Sequence, residues 1–175
     1  MNNNATFSGG FSEIHVSGNV NNTSGTFTTG SGIVSIKGSV VNNATYTAKT
    51  RTTNVNGSVT NSGASAVYQA NSNSLKVNGS FTNSTSATTT ANTGSITLGG
   101  DWSNSATFSS GTGSVTFSST GAQSLTGSTT FYNVLRTNGG SLTLNNDITV
   151  GNLLTLTSGN IITGTNTLYT TNTSS

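Results

Sequence analysis

A fixed spacing constrains this chain more than any other feature. Gly18, Gly38, Gly57, Gly79 and Gly100 recur at intervals of 19 to 22 residues, each with the same kinds of neighbour at the same offsets. Two residues after each glycine stands an apolar side chain (Val20, Val40, Val59, Phe81, Trp102), and four after it an asparagine (Asn22, Asn42, Asn61, Asn83, Asn104). Two before lies Val16, Ile36, Val55, Val77 or Leu98, and four before lies Ile14, Val34, Thr53, Leu75 or Ile96. Eleven before lies Phe7, Phe27, Tyr46, Tyr68 or Thr89. A weaker sixth copy has Phe108, Val115 and Phe117, with Ser119 in place of the glycine and Gln123 in place of the asparagine. All variation in length falls between the asparagine and the next aromatic position. Insertions are tolerated in exposed loops and not in packed coils, so that interval marks a loop.

Inside each copy apolar and polar residues alternate, as in Ile14-His15-Val16-Ser17-Gly18-Asn19-Val20. A period of two means strand with one buried face. A repeat of about 20 residues holding two or three such strands is one turn of a solenoid, each turn pairing with the next about 4.8 Å away. The expected fold is therefore all-β: a parallel β-solenoid of about eight coils, roughly 19–22 residues per coil. Residues 1–123 hold six coils. Residues 124–175 continue the same domain in an altered register, with two further coils and a longer excursion over roughly 124–141. The aromatic row Phe7, Phe27, Tyr46, Tyr68 and Phe108 points inward with the aliphatic rows. The glycines are expected at corners, where lack of a Cβ carries no conformational penalty. The asparagine row is expected to form an internal ladder at a second corner.

Composition separates this fold from disorder. Charged residues are 5% of the chain, against about 25% in ordinary domains. Disordered chains are usually highly charged and poor in β-branched residues, whereas Thr, Val and Ile abound here. Proline, which blocks interior ladders, is absent. The net charge of +2 rests on scattered Lys37, Lys49, Arg51, Lys76 and Arg136, and phosphate binding needs clustered cations. No nucleic-acid partner is expected, and no apolar run is long enough to span a membrane as a helix. Without cysteine there is no disulfide framework. Met1 to Ala5 has no charged or apolar leader region, so a mature form or a fragment is expected.

The passages Gly121-Ala122-Gln123-Ser124-Leu125-Thr126-Gly127 through Leu135, Gly140-Ser141-Leu142-Thr143-Leu144 through Val150, and Leu154-Thr155-Leu156 through Ile161 resemble those of large secreted bacterial surface proteins. That group consists of adhesin-like, parallel β-helix repeat proteins. The resemblance covers roughly residues 107–168. It implies an exported β-helix with a structural or adhesive role and carries over no catalytic residue.

The ionisable inventory points away from catalysis. Glu13, Asp101 and Asp147 fall in different repeats, too far apart for paired-carboxylate or calcium chemistry. Glu13 and His15 read as two solvated residues on an outward face, and Trp102 as core. The outward pairs beside the aromatic row, Thr6/Ser8, Thr26/Thr28, Thr45/Thr47, Val67/Gln69, Thr88/Thr90 and Thr107/Ser109, resemble an ice-binding face, though Thr is also a good exposed strand residue. Asn-x-Ser/Thr triplets, as at Asn43, Asn56, Asn78 and Asn83, are expected by chance in such a composition. No cap is legible at either end, since Thr6-Phe7 and Leu168-Tyr169-Thr170 both read as strand. The expectation is a non-enzymatic, cofactor-free structural protein, secreted or on the cell surface, that stacks head to tail with itself. The alternative is an adhesin stalk or binding module for a cell-surface glycan or ice.

Overall fold

The computed structural model describes residues 1–49 and 51–172. Residues 173–175 of the expected second segment lie outside the described residues. Strands of two to four residues alternate with tight corners through the first six coils. Each of these coils gives one strand to each of three sheets, as Val40–Asn42, Thr45–Thr47 and Thr52–Val55 do in the third coil. Among the described residues the first and third sheets have nine strands and the second has six. Neighbouring strands are parallel and about one repeat apart, as in Val40↔Val59↔Phe81↔Trp102. The chain is an all-β parallel β-solenoid of about eight coils.

The alternation fixes which residues meet inside. Val20, Val40, Val59, Phe81 and Trp102 on the first sheet are fully buried, as are Val34, Ile36, Val55, Leu75, Val77, Ile96 and Leu98 on the third. Phe7, Phe27, Tyr46 and Tyr68 stack ring on ring at 4.7–5.0 Å across the second sheet. Thr89 interrupts this column. At the same level the first sheet replaces valine with Phe81, whose ring meets Tyr68 edge-on at 6.1 Å and stacks on Trp102 at 5.1 Å. The two changes compensate in volume, as a close-packed interior requires.

The structure gives the anchor glycines a different reason from the one expected. None of the five has a positive φ; in the first six coils the left-handed residues sit elsewhere, at Gly25, Gly63, Thr85 and Ser86 in the variable loop and at Asn71, Asn92 and Gly111 at another corner. Close stacking instead demands the anchors. A Cβ on Gly57 would lie 2.3 Å from Ser39 Oγ, and one on Gly100 would lie 2.5 Å from the Gly79 carbonyl carbon and 2.6 Å from Ser80 N. A Cβ on Gly18, in the first coil, meets nothing within 4 Å. Gly100→Ala should therefore cost about 1–3 kcal/mol through overpacking. Gly18→Ala should be neutral or stabilising by up to about 1 kcal/mol, because it restricts only the unfolded chain. Chemical-denaturation midpoints of the two variants check the opposite signs.

Beyond residue 123 the expected excursion over 124–141 is not found. Gln123–Thr126 and Thr129–Arg136 are strands that continue the first and third sheets. Gln123 does not continue the asparagine row either. The register pairs Leu125 with Trp102, which sets Gln123 at the level of Gly100, and its amide donates to the Gly100 carbonyl. The altered pattern has a structural cause: the second and third sheets merge. Thr129–Arg136 and Ile148–Leu156 each run through what were two strands and a corner, with a bulge opposite Tyr132. Among the described residues two full coils and part of a third follow the first six.

Candidate functional site

The chemistry of this molecule is concentrated in columns that run along the axis. Asn3, Asn22, Asn42, Asn61, Asn83 and Asn104 form one series, each Nδ2 donating to the next Oδ1 at 2.7–3.0 Å. The second amide hydrogen of each of the first five goes to a carbonyl of the following coil: Thr26, Thr45, Val67, Thr88 and Thr107. The series ends where Asn104 donates to Thr129 Oγ1, which also accepts from Trp102 Nε1 and donates to the Gly127 carbonyl. These amides are buried, and a buried amide left unpaired costs about 1–3 kcal/mol. Continuity is therefore what makes the column stabilising. Asn3 was missed in the sequence, although its separation from Phe7 equals that of Asn42 from Tyr46.

A second column was also missed. The residue after each anchor glycine is Asn19, Ser39, Ser58, Ser80 or Asp101. Its side-chain oxygen accepts the backbone N–H of the equivalent residue one coil later: Ser39 on Asn19, Ser58 on Ser39, Ser80 on Ser58, Asp101 on Ser80, and Ser124 on Asp101. These short oxygens fill the space a Cβ on the anchor glycine would need. The signal was a small acceptor following every anchor. Asp147 does the same at another corner, accepting from Thr167 N at 2.7 Å.

Arg136 is the least expected residue. It is fully buried, and among the described residues no carboxylate pairs with it. Its Nε donates to the Gly140 carbonyl at 3.1 Å, Nη1 to the Phe117 carbonyl at 2.7 Å and Gln123 Oε1 at 3.3 Å, and Nη2 to the Ser119 carbonyl at 2.9 Å. The guanidinium thus gathers the backbone of the 118–122 turn, and burial lowers its pKa from the usual arginine range.

Two buried phenols contrast with these satisfied groups. Among the described residues the hydroxyls of Tyr46, Tyr68 and Thr53 complete no hydrogen bond. Burial pushes both phenols above the ordinary tyrosine range; the nearby Thr53 hydroxyl opposes this for Tyr46, and Tyr46 adds to it for Tyr68. Tyr68→Phe should stabilise the fold by about 1 kcal/mol, because it removes an unpaired buried hydroxyl. A group whose folded pKa is raised holds its full stability below its unfolded pKa and loses it as pH rises. The wild type should accordingly weaken above about pH 10, and Tyr68→Phe should weaken less in an alkaline titration followed by circular dichroism.

The other sequence candidates are placed as follows. Phe108 lies one coil beyond Thr89, outside the stacked column, and meets Trp102 at 4.8 Å and Phe131 at 5.6 Å. Trp102 is fully buried. Glu13 and His15 form an exposed pair at 3.2 Å. The outward Thr pairs lie on the second sheet, where Thr47 Oγ1 and Gln69 Oε1 are 3.4 Å apart. Among the described residues no three His, Asp or Glu side chains come together as metal ligands, and no helix is long and apolar enough to cross a membrane.

The columns and sheets define the class of the molecule, a parallel β-solenoid. No protein-family profile, curated protein or solved structure matches the chain.

Proposed function

We propose that this chain is a structural, non-enzymatic solenoid of a secreted or cell-surface assembly, and that its end coils stack on copies of itself to build a filament or matrix fibre. One observation carries this reading: the apolar interior surfaces at both ends of the described solenoid. At one end the inward residues Leu154, Ile161 and Leu168 are only partly covered, and Leu156, aligned with the buried Arg136, is about half exposed. At the other, Phe7, Ile14 and Val16 are only partly covered, whereas their counterparts one coil later, Phe27, Val34 and Ile36, are buried. The unpaired strand edges of such coils accept another strand, and a head-to-tail contact that does not close propagates as a fibre. The scarcity of charge and the likeness to secreted adhesin-like repeats support a place outside the cell. A stalk within a longer repeat protein would use the same solenoid, with further coils of its own chain covering the ends.

Sedimentation velocity and electron microscopy of the purified chain at rising concentration test the proposal. Regular fibres are expected, and Leu156→Lys with Ile161→Lys should abolish them while the circular dichroism spectrum persists. Discrete rods that stay monomeric at high concentration would favour the stalk and overturn self-assembly.

A further inference from the structure

The outward side of the third sheet carries a groove that none of the internal columns uses. Two adjoining hollows of about 580 and 350 Å3 share Ser35 and Lys37, and together they run along the axis from His15 in the first coil to Asn78 in the fourth. That is three coil spacings, about 14 Å. His15, Ser35, Asn54 and Lys76 occupy one outward row. Lys37, Asn56 and Asn78 line the neighbouring row, toward the corner. Asn78 Nδ2 donates to Asn56 Oδ1 at 2.7 Å, which orients both exposed amides. Asn56 Nδ2 and Asn78 Oδ1 are then free to face a ligand as one donor and one acceptor. Among the described residues Lys37 and Lys76 enter no ion pair, and the one nearby carboxylate, Glu13, is turned to His15.

We propose that this groove binds an acidic oligosaccharide lying along the solenoid axis. Lys37 would meet a carboxylate or sulfate, and the Asn54, Asn56 and Asn78 amides would meet ring hydroxyls. Three features select this ligand. Planar amides and hydroxyls offer the donor–acceptor pairs that sugar hydroxyls need. The groove lies on a sheet face whose backbone is already paired, so it gives an extended peptide no strand edge to join. Its cations are too few and too spread for a polyphosphate, which needs several neutralising contacts. The site is independent of end-to-end assembly, because it lies on the side of the solenoid.

The test is titration calorimetry of the full chain at low salt with oligogalacturonate, oligoalginate and sulfated chondroitin trisaccharides, against neutral maltotriose and a penta-glutamate peptide. At least one acidic trisaccharide should bind with a Kd below about 1 mM. Lys37→Gln should weaken that binding by about tenfold, and Asn56→Ala by about threefold, as expected for one charge-assisted and one neutral contact. Both variants should keep the wild-type melting temperature, since both side chains are exposed. The proposal is overturned if no acidic trisaccharide binds more tightly than maltotriose. Penta-glutamate binding as tightly as the best sugar, or Lys37→Gln leaving affinity unchanged, would overturn it equally.

Discussion

Asn61→Asp should destabilise the protein by several kcal/mol at pH 7 and recover much of that loss at pH 3. Asn61 is fully buried, and its Nδ2 donates to Asn83 Oδ1, to the Thr88 carbonyl at 2.9 Å and to Thr89 Oγ1 at 3.1 Å. The substitution replaces that donor with an oxygen aimed at other oxygens. An ionised carboxylate there has no compensating cation, and an unpaired buried charge costs far more than a lost neutral hydrogen bond. The folded state will hold the new carboxyl well above its unfolded pKa of about 3.9. With a raised folded pKa, stability is greatest below the unfolded value and is lost as pH rises through the folded one. Asn61→Ala removes the same donors without adding a titratable group, so its loss should not vary with pH. Guanidinium midpoints at pH 3, 5 and 7 separate the two. A flat profile for Asn61→Asp would mean that the asparagine column is not the closed hydrogen-bonded series described above.

Arg136→Met should cost on the order of 3–5 kcal/mol. Two effects compete. Removing a buried cation relieves its desolvation, and well-packed apolar replacements of buried ion pairs are often neutral. Here, however, the partners are mainly backbone carbonyls, which no substitution removes. Methionine would leave the Ser119 and Gly140 carbonyls facing an apolar side chain, while the Phe117 carbonyl and Gln123 Oε1 keep Thr137 N and Ser119 N as donors, and each orphan costs about 1–3 kcal/mol. The orphans win. Arg136→Lys restores the charge but not the planar fork that reaches separate acceptors, so it should rescue only part of the loss. Lys76→Met, on the exposed face, should stay within about 0.5 kcal/mol of wild type. Thermal melts of the three variants, with limited proteolysis of the 118–122 turn, provide the measurement. An Arg136→Met protein as stable as wild type would show the guanidinium to be dispensable.

These two residues also mark how far the sequence could be read. Asn61 belongs to a row whose period, parity and invariance of side chain are all visible in the linear chain. Its neighbours one coil away follow once the repeat is aligned, so the ladder could be expected before any coordinates. Arg136 has the parity of an inward residue, two after Val134. A charged side chain in a chain so rich in exposed strand residues nonetheless reads as solvated. Its burial depends on the 118–122 turn folding back over it and on Gln123 turning inward. Both are contacts between segments whose spacing departs from the repeat. In the linear repeat Gln123 stands four residues after Ser119, where an asparagine would fall; pairing Leu125 with Trp102 resets the register.

The anchor glycines show the same division from the other side. Their positions were plain, but the reason for them was not. The expectation is a corner where a missing Cβ carries no penalty, while the structure shows no positive φ at the anchors and, at Gly38, Gly57, Gly79 and Gly100, a crowding oxygen one coil below. The groove beside Lys37 is likewise invisible in the linear pattern, because its lining comes from outward residues of different coils that the ladder brings into register.

By itself the sequence determined the strand period, the coil length, the inward rows and the position of the variable loop. Each of these follows from alternation and repetition, which are properties of the chain read along its length. Only the tertiary structure decided what lies above and below each residue: the oxygen that forbids a Cβ, the carbonyls that hold Arg136, and the merging of two sheets after Thr129. Those depend on packing between coils some 20 residues apart, where a shift of register by two residues preserves every inward and outward assignment and changes every partner.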